Sequence, residues 1–224
     1  MNFDWDPLVL TFKLALVTTL ILIPLAIPLA YWLAFTRHKI KYFIEPLVSM
    51  PLVLPPTVLG FYILLLLSPR SPLGHFLDSV FNIQVVFTFL GLVIASVFFS
   101  LPFIVNPIKA GFESFPKSLI EASYALGKSR WQTLLRVILP NIKPSLLTGV
   151  IMAFAHTIGE FGVVLMIGGS IPGETRTASI AIFGEVEALN YANANFYSAI
   201  LFVISFAILF LLNTINRKAF KTFS

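Results

Sequence analysis

Cysteine is absent from this chain of 224 residues, which excludes disulfide bonds and cysteine-ligated metal sites. Charged residues are scarce as well, at 11% of the sequence against about 25% in an average soluble domain. Apolar residues make up 58% of the chain and give it a mean hydropathy of +0.92. This composition excludes an ordinary soluble domain and indicates an all-α integral membrane protein.

Long stretches without charge give the second indication, because each reaches the ~20 residues that a helix needs to cross a bilayer core. The first stretch lacks a basic leader and a small-residue cleavage site, so we expect it to remain as a span. A single domain of residues 1–224 is predicted, with the long connection 108–143 outside the membrane. The predicted transmembrane helices, about five in number, cover about residues 12–36, 46–67, 85–107, 144–167 and 194–215.

The distribution of the 15 Lys and Arg residues predicts how these helices are oriented. Three lie in the first connection, six in the connection 108–143 and three in the C-terminal tail, so 12 share one side of the membrane. By the positive-inside rule that side is cytoplasmic, which places the N-terminus outside and the C-terminus in the cytoplasm. The net charge of +5 is thereby explained by topology and contact with anionic lipid, and a nucleic-acid partner is not expected.

Prolines interrupt the predicted spans, most densely in the inner half of the second one. Pro55 and Pro56, followed by Thr57, remove backbone donors from the helix. Irregular backbone at membrane depth is tolerated only against protein or a water-filled cavity. We predict that this segment lines a path for a solute; the alternative is a packed, kinked helix that lines no path.

The segment from Glu121 to Pro140 is polar and basic, although it lies between apolar spans. Capping patterns of the form S-x-x-E/Q begin at Ser118 and Ser129, and Gly127 between them suits a left-handed helix end. Two short amphipathic helices are predicted, with Pro116 at the first helical position of the first and Pro140 at the end of the second. The second carries an apolar stripe at helical spacing, formed by Trp131, Leu134, Leu135 and Ile138.

Two uses of this helix pair stay open. It presents a rigid surface to a cytoplasmic partner, or it lies on the membrane with Lys128, Arg130 and Arg136 on lipid phosphates. The run Gly127-Lys128-Ser129 also resembles a relaxed phosphate-binding loop. That loop requires a preceding buried strand, whereas the residues before Gly127 predict a helix, so we expect no nucleotide to bind here.

The run Glu121-Ala122, then Gly127, then Ile138-Leu139-Pro140, resembles the cytoplasmic EAA loop of permease subunits of ATP-binding-cassette importers. It departs at Ser123, where the second Ala usually stands. The resemblance implies a type I importer permease fold, in which this loop forms coupling helices seated in a groove of a separate ATPase. Glu121 would cap its helix or pair with a basic residue of the groove. The residues implied to bind the ATPase are Glu121, Ala122, Ser123, Gly127, Lys128, Arg130, Leu139 and Pro140.

Three further segments narrow the resemblance to molybdate permease subunits. They are PLVLPPTVLG at 51–60, GEFG at 159–162 and IPGETRT at 171–177. With the EAA-like loop they follow the order of that family from residue 51 to residue 177. The resemblance implies a tetrahedral oxyanion as cargo, molybdate first, with tungstate and sulfate or thiosulfate as alternatives.

Glu160 is the one charge in the fourth predicted span. About 16 residues into a helix it lies roughly 24 Å up, near the outer interface. Since a carboxylate facing a dianion repels it, we expect Glu160 to pair with a neighbouring helix or backbone and to hold a gate between Gly159 and Gly162, with Arg176 as a candidate partner. An ordinary interfacial Glu is the alternative, and His156 is expected to be a packing residue. The pathway and gate candidates are Pro55, Pro56, Thr57, Gly159, Glu160, Gly162 and Arg176.

Three functions of different classes follow. The favoured one is a permease subunit of the bacterial inner (plasma) membrane with no catalytic residues of its own. The resemblance implies a homodimer with two cytoplasmic ATPase subunits, which use ATP and Mg, and an external solute-binding protein; no cofactor or metal is expected on this chain. The alternatives are a membrane-embedded enzyme, which needs more ionisable residues at depth, and an assembly or anchor protein, for which interrupted helices are unnecessary.

Overall fold

The computed structural model of the chain describes residues 4–221 and, within the last helix, the side chains up to residue 211 and that of Thr214. The side chains of Arg217, Lys218 and Lys221, which enter the orientation prediction, lie outside the described residues. The helices are α1 (Asp6–Phe35), α2 (Lys41–Ser49), α3 (Pro56–Leu67), α4 (Pro72–Phe81), α5 (Phe89–Glu113), α6 (Lys117–Ala125), α7 (Arg130–Thr133), α8 (Leu139–Asn141), α9 (Lys143–Ile158), α10 (Gly162–Gly168), α11 (Ala178–Glu187) and α12 (Tyr191–Lys221). A 3₁₀ turn covers Met50–Leu52, and a π-helical segment covers Leu134–Ile138.

Within the described residues, three helices, α1, α5 and α12, are long and apolar enough to cross a membrane, and up to five spans result if two bent helix pairs are counted. Prolines inside α1 and α5 do not break these helices. Neighbouring helices in a bundle satisfy the backbone groups that proline frees. The fold is therefore all-helical in the described residues, as the composition predicts.

The second predicted span is not one helix. α2 ends in the 3₁₀ turn, and the chain bends by 113° between Lys41–Leu52 and Pro56–Leu67. Ion pairs hold α2 against the inner end of α5: Lys41 lies 3.8 Å from Glu113, and Lys109 pairs with Glu45. The 12 residues of α3 rise only about 18 Å, short of the ~30 Å bilayer core.

The fourth predicted span is also interrupted. α9 ends at Ile158, residues 159–161 leave the helical conformation, and α10 resumes at Gly162. At its inner end α9 meets the preceding helical segment at a bend of 75°. The breaks in the second and fourth spans therefore lie inside segments that composition alone predicts as continuous.

Buried apolar side chains form two main clusters, which lie at different depths in the bundle. The inner core joins the second halves of α1 and α5 to α2, α9 and the segment after α7, with Leu22, Leu33, Val48, Ile104, Phe112, Ile138 and Ala153 among its members. The outer core joins the first halves of α1 and α5 to α3, α10 and α11, with Leu14, Ile63, Leu92, Val93, Val163, Ile167 and Ile180 among its members. We call the two clusters inner and outer because the predicted orientation places the first nearer to the cytoplasm and the second nearer to the outside.

Glycines allow the close approaches between helices. A Cβ on Gly149 of α9 would lie 2.8 Å from the carbonyl oxygen of Ile104 in α5. A Cβ on Gly162 would lie 2.9 Å from Cβ of Pro56, and one on Gly60 would lie 2.8 Å from Cβ of Met166. Since 56 faces 162 and 60 faces 166, α3 and α10 run parallel, side by side.

Replacing Gly149 by Ala is expected to destabilise the bundle by about 1–3 kcal/mol, because the new Cβ meets backbone of α5. The matched control is Gly184→Ala within α11, where the nearest atom to a new Cβ is Nη2 of Arg176 at 3.8 Å. That change is expected to stabilise by about 0.5–1 kcal/mol. Thermal unfolding in detergent, followed by tryptophan fluorescence, measures both; equal midpoints would contradict the close α5–α9 approach.

Candidate functional site

The candidate site residues from the sequence analysis lie in two regions of the structure. The first is the insert, defined as Lys117–Asn141, on the cytoplasmic side by the predicted orientation. Its capping box is confirmed: the Ser129 hydroxyl accepts from the Gln132 amide at 3.2 Å, and the Gln132 side chain accepts from the Ser129 amide at 3.2 Å. Gly127 has a φ of +74°, so the predicted left-handed helix end is also confirmed.

The predicted capping role of Ser118 and Glu121 is wrong. The first helix begins at Lys117, two residues before the start that a Ser118 cap implies. Pro116 is its N-cap and not its first helical residue, and no side chain caps the helix. Pro116 has a φ of −62° and a ψ of 123°, which sets the helix start and leaves Ser118 inside the first turn. The Glu121 side chain is exposed.

The prediction that Pro140 ends the second helix is wrong as well. Helix continues through Leu139–Asn141, and the turn toward the membrane comes at Ile142. The preceding π-helical turn explains why, since its wider spacing relieves the clash between a proline ring and the carbonyl four residues before. Leu139 is partly buried and Pro140 is exposed beside this turn.

The insert is packed on one side and bare on the other. Leu134 and Ile138 belong to the inner core, where they meet the ends of α1 and α5. Leu126 and Trp131 are 79% and 66% exposed. They stand among exposed Glu121, Ala122, Gly127, Lys128 and Arg130, and these seven residues form what we call the docking surface.

Ser123 differs from its neighbours in the EAA-like pattern because it is buried. Its hydroxyl lies 2.9 Å from the hydroxyl of Thr133, so it joins α6 to the end of α7. Thr133 is fully buried and was not among the predicted site residues. The sequence around Thr133 does not indicate this contact, because the contact depends on how the two helices fold back on each other.

The second region is a cavity of about 600 Å³ where the breaks of the second and fourth spans meet. Five gate candidates line it: Pro56, Thr57, Gly159, Glu160 and Gly162. Phe99, Ala155, His156 and Phe161 complete the wall. Pro55 is the N-cap residue of α3, directly before Pro56. Sequence reasoning missed the aromatic part of the wall, since nothing in the spacing of Phe99 and Phe161 relates them.

Glu160 is buried and pairs with a neighbouring helix, as predicted. Its Oε2 accepts from the Ser96 hydroxyl of α5 at 2.7 Å, and its main-chain carbonyl accepts from the Ser179 hydroxyl of α11 at 2.6 Å. The candidate pairing with Arg176 is wrong: Nη2 of Arg176 lies 3.6 Å from Oε1 of Glu185. Arg176 follows Thr175, whose buried hydroxyl bonds to Gly168 and fixes the loop so that the guanidinium meets α11.

His156 packs as expected. Its ring stacks on Phe103 with centroids 3.7 Å apart and contacts Phe99 at 4.7 Å. Its Nδ1 lies 2.9 Å from the Ser100 hydroxyl, which also lies 2.9 Å from the Thr157 hydroxyl. Thus a short hydrogen-bonded row ties α9 to α5 next to the cavity.

Comparison with known proteins places both regions in one family. Residues 26–221 match the family model described as binding-protein-dependent transport system inner membrane component. The chain is 45% identical over 208 residues to the molybdenum transport system permease protein ModB of Azotobacter vinelandii, covering 93% of this chain and 92% of that protein. It is 32% identical over 185 residues to the sulfate transport system permease protein CysT of Escherichia coli, covering 82% and 66%.

A solved structure has the same fold. The bacterial ABC transporter involved in the import of the acidic polysaccharide alginate superposes with a TM-score of 0.77. The match covers 95% of this chain and 78% of that one at 18% identity. The helix order and the inner insert are therefore those of a type I importer permease.

Substituting Gly127 tests whether the left-handed turn shapes the docking surface. Gly127→Val places a β-branched residue at φ +74°, which costs about 1–2 kcal/mol, whereas Gly127→Asn tolerates this conformation. No atom lies within 4 Å of a new Cβ, so a clash inside the chain does not contribute. Hydrogen exchange over residues 117–133 is expected to quicken about tenfold in the Val variant and little in the Asn variant; equal exchange would contradict the turn.

Proposed function

Because the chain belongs to the family of binding-protein-dependent transport system inner membrane components, we propose that it is the permease subunit of an ATP-driven importer whose cargo is a tetrahedral oxyanion, molybdate. The observation that carries the transport role is the pairing of two helix breaks at one cavity, with an inner insert attached to the same bundle. The observation that supports the cargo is the 45% identity to a molybdenum permease over nearly the full length of both chains.

The docking surface receives a cytoplasmic ATPase subunit. Leu126 and Trp131 offer apolar anchors of the kind that fill pockets at protein interfaces, and Lys128 and Arg130 add positive charge around them. Through Leu134 and Ile138 the insert is fixed to the inner core, so a push on the docking surface reaches α1 and α5. The ATPase, and not this chain, uses ATP and Mg.

The subunit acts as a homodimer. One copy supplies five spans at most, too few to enclose a path, and a two-fold pair supplies the rest. Apolar side chains along α3, such as Tyr62 and Leu66, and along α12, such as Phe202 and Phe206, are exposed in the single chain. A second copy and lipid cover these faces between them.

Selection of the cargo rests with an external solute-binding protein. Within the predicted spans the only Lys or Arg is Lys13, which lies near the outer end of α1 and over the ring of Phe89. No basic side chain from the spans is thus placed to hold a dianion at the depth of the cavity. A path without strong ligands releases its cargo readily, which suits a channel fed by a separate receptor. Closure of the two ATPases draws the inserts together, opens the path outward, and hydrolysis resets it.

Uptake into vesicles tests the cargo. We expect ATP-dependent uptake of labelled molybdate when the permease, its ATPase and a molybdate-binding protein are combined, and no uptake without the binding protein. Tungstate-binding and sulfate-binding proteins are supplied in parallel. Uptake of sulfate alone would indicate that sulfate is the cargo. Uptake only of a cation or an organic solute would contradict the proposal that the cargo is an oxyanion.

Docking is tested by Leu126→Asp, which places a charge in the apolar part of the docking surface. Association with the purified ATPase is expected to weaken about tenfold or more, because apolar anchors dominate such interfaces. The matched control is Leu189→Asp, at a residue that is 72% exposed against 79% for Leu126 but lies on the outer side. Unchanged association in the Leu126 variant, with the spans inserted normally, would favour an insert that lies on the membrane surface.

A further inference from the structure

The hydrogen bonds around His156 determine which of its two ring nitrogens carries a proton. Nδ1 lies 2.9 Å from the Ser100 hydroxyl, and this hydroxyl lies 2.9 Å from the hydroxyl of Thr157. The Thr157 hydroxyl in turn lies 3.0 Å from the main-chain carbonyl oxygen of Ala153. The three contacts thus form a chain that begins at the imidazole and ends at a carbonyl, a group that only accepts hydrogen bonds.

Only one order of protons gives each of these contacts a hydrogen bond. The Thr157 hydroxyl has a single proton, which it donates to the Ala153 carbonyl. The Ser100 hydroxyl then donates to Thr157, so it accepts from Nδ1 of His156. The reverse order would leave the oxygens of Thr157 and Ala153 3.0 Å apart with no proton between them. Nδ1 is therefore assigned as the protonated nitrogen, and in the neutral ring Nε2 carries the lone pair.

The imidazole ring is held in place, and its second nitrogen is accessible. The ring stacks on Phe103 with centroids 3.7 Å apart and contacts Phe99 at 4.7 Å. Among the described residues Nε2 has no hydrogen-bond partner, and it is not one of the buried side-chain atoms that lack a partner. Because His156 and Phe99 both line the cavity of about 600 Å³, we take Nε2 to be reached from this cavity.

Few other groups that titrate lie near this ring. Glu160 is the one acidic residue in the cavity wall, but its side chain is 3% exposed, its Oε2 accepts from Ser96 and its Oε1 is buried. Little of that carboxylate therefore faces the cavity. The elements that pack on α9 and α10 carry tyrosines, which titrate well above neutral pH, and no charged residue at 14–35 of α1, 56–67 of α3, 89–108 of α5 or 191–211 of α12.

We propose that Nε2 of His156 binds the oxyanion in the cavity, and that one proton is held between this nitrogen and an oxygen of the oxyanion. This inference rests on the proposed transport function. The ring of the empty cavity is neutral, because a charge between two phenyl rings has no counterion there. A dianion that enters supplies the counterion, so Nε2 takes a proton from water and donates it to the oxyanion in a hydrogen bond. Nδ1 already donates to Ser100, and the ring keeps its position.

A proton is a positive charge that this part of the path gains and loses. The spans place no Lys or Arg at this depth, where a permanent charge would hold a dianion after it has entered. His156 loses its charge when the proton returns to water, and the oxyanion is then released. Thr57 offers a second, uncharged donor, since it is exposed in the first turn of α3 and lines the same cavity.

The proton assignment is tested by nitrogen NMR on the full-length chain in lipid, with isotope-labelled histidine. The other histidines, His38 and His75, are exposed and are replaced by Gln, so that each histidine signal comes from His156. Without oxyanion we expect a protonated Nδ1 and an unprotonated Nε2. Thr157→Val removes the group that accepts from Ser100 and frees this hydroxyl to donate to Nδ1, so the population protonated at Nε2 is expected to rise several-fold. An unprotonated Nδ1 in the chain with native Thr157 would overturn the assignment.

Oxyanion binding is tested on the same sample by adding molybdate, with tungstate and sulfate in parallel and chloride as the control for ionic strength. Each oxyanion is expected to move Nε2 to its protonated shift, and chloride is expected to leave it unchanged. Since one proton binds with each oxyanion, the apparent affinity is expected to rise up to about tenfold for each unit that the pH is lowered between about pH 8 and 6. An unchanged Nε2 shift at millimolar oxyanion, or an affinity independent of pH, would overturn the proposal.

Two variants separate the roles of the ring nitrogens. His156→Asn keeps an amide that donates to Ser100 but has no atom in place of Nε2, whereas His156→Gln places an amide near the position of Nε2. Binding of labelled molybdate is expected to fall about tenfold or more in the Asn variant, and to persist without pH dependence in the Gln variant. Undiminished binding by the Asn variant would overturn the role of Nε2. These measurements need neither ATPase nor binding protein, so absent uptake by the assembled transporter would contradict the proposed function separately.

Discussion

The structure depends on one constraint: inside a bilayer, each backbone N–H and C=O needs a partner within the protein or in water. Three unbroken helices satisfy this demand internally. The two interrupted spans satisfy it together, because their breaks lie side by side and Gly162 brings α10 against Pro56 and Thr57 at the start of α3. A break in only one span would leave its backbone facing lipid. The paired breaks therefore lie at the cavity through which we propose that the solute passes.

The position of the insert is set by the packing of its apolar side chains. Its apolar stripe looks uniform in sequence, yet Leu134 and Ile138 face the inner core while Trp131 and Leu135 remain exposed. One half of the stripe anchors the insert, and the other half is exposed, where we propose that the ATPase binds. The Ser123–Thr133 bond keeps the two short helices at a fixed angle, so the docking surface moves with the bundle and not independently of it.

Composition and periodicity predicted the class and the two-helix insert, because these depend on local pattern alone. The prediction of five spans agrees with the structure only if each of the two bent helix pairs is counted as one span. The capping box at Ser129 and the left-handed Gly127 were equally local and are confirmed. The predictions for Ser118 and Pro140 were wrong because a neighbouring proline and a π-helical turn changed the local geometry. The partner of Glu160 was beyond sequence reasoning, since Ser96 lies 64 positions away and only the packing of α5 against α9 brings them together.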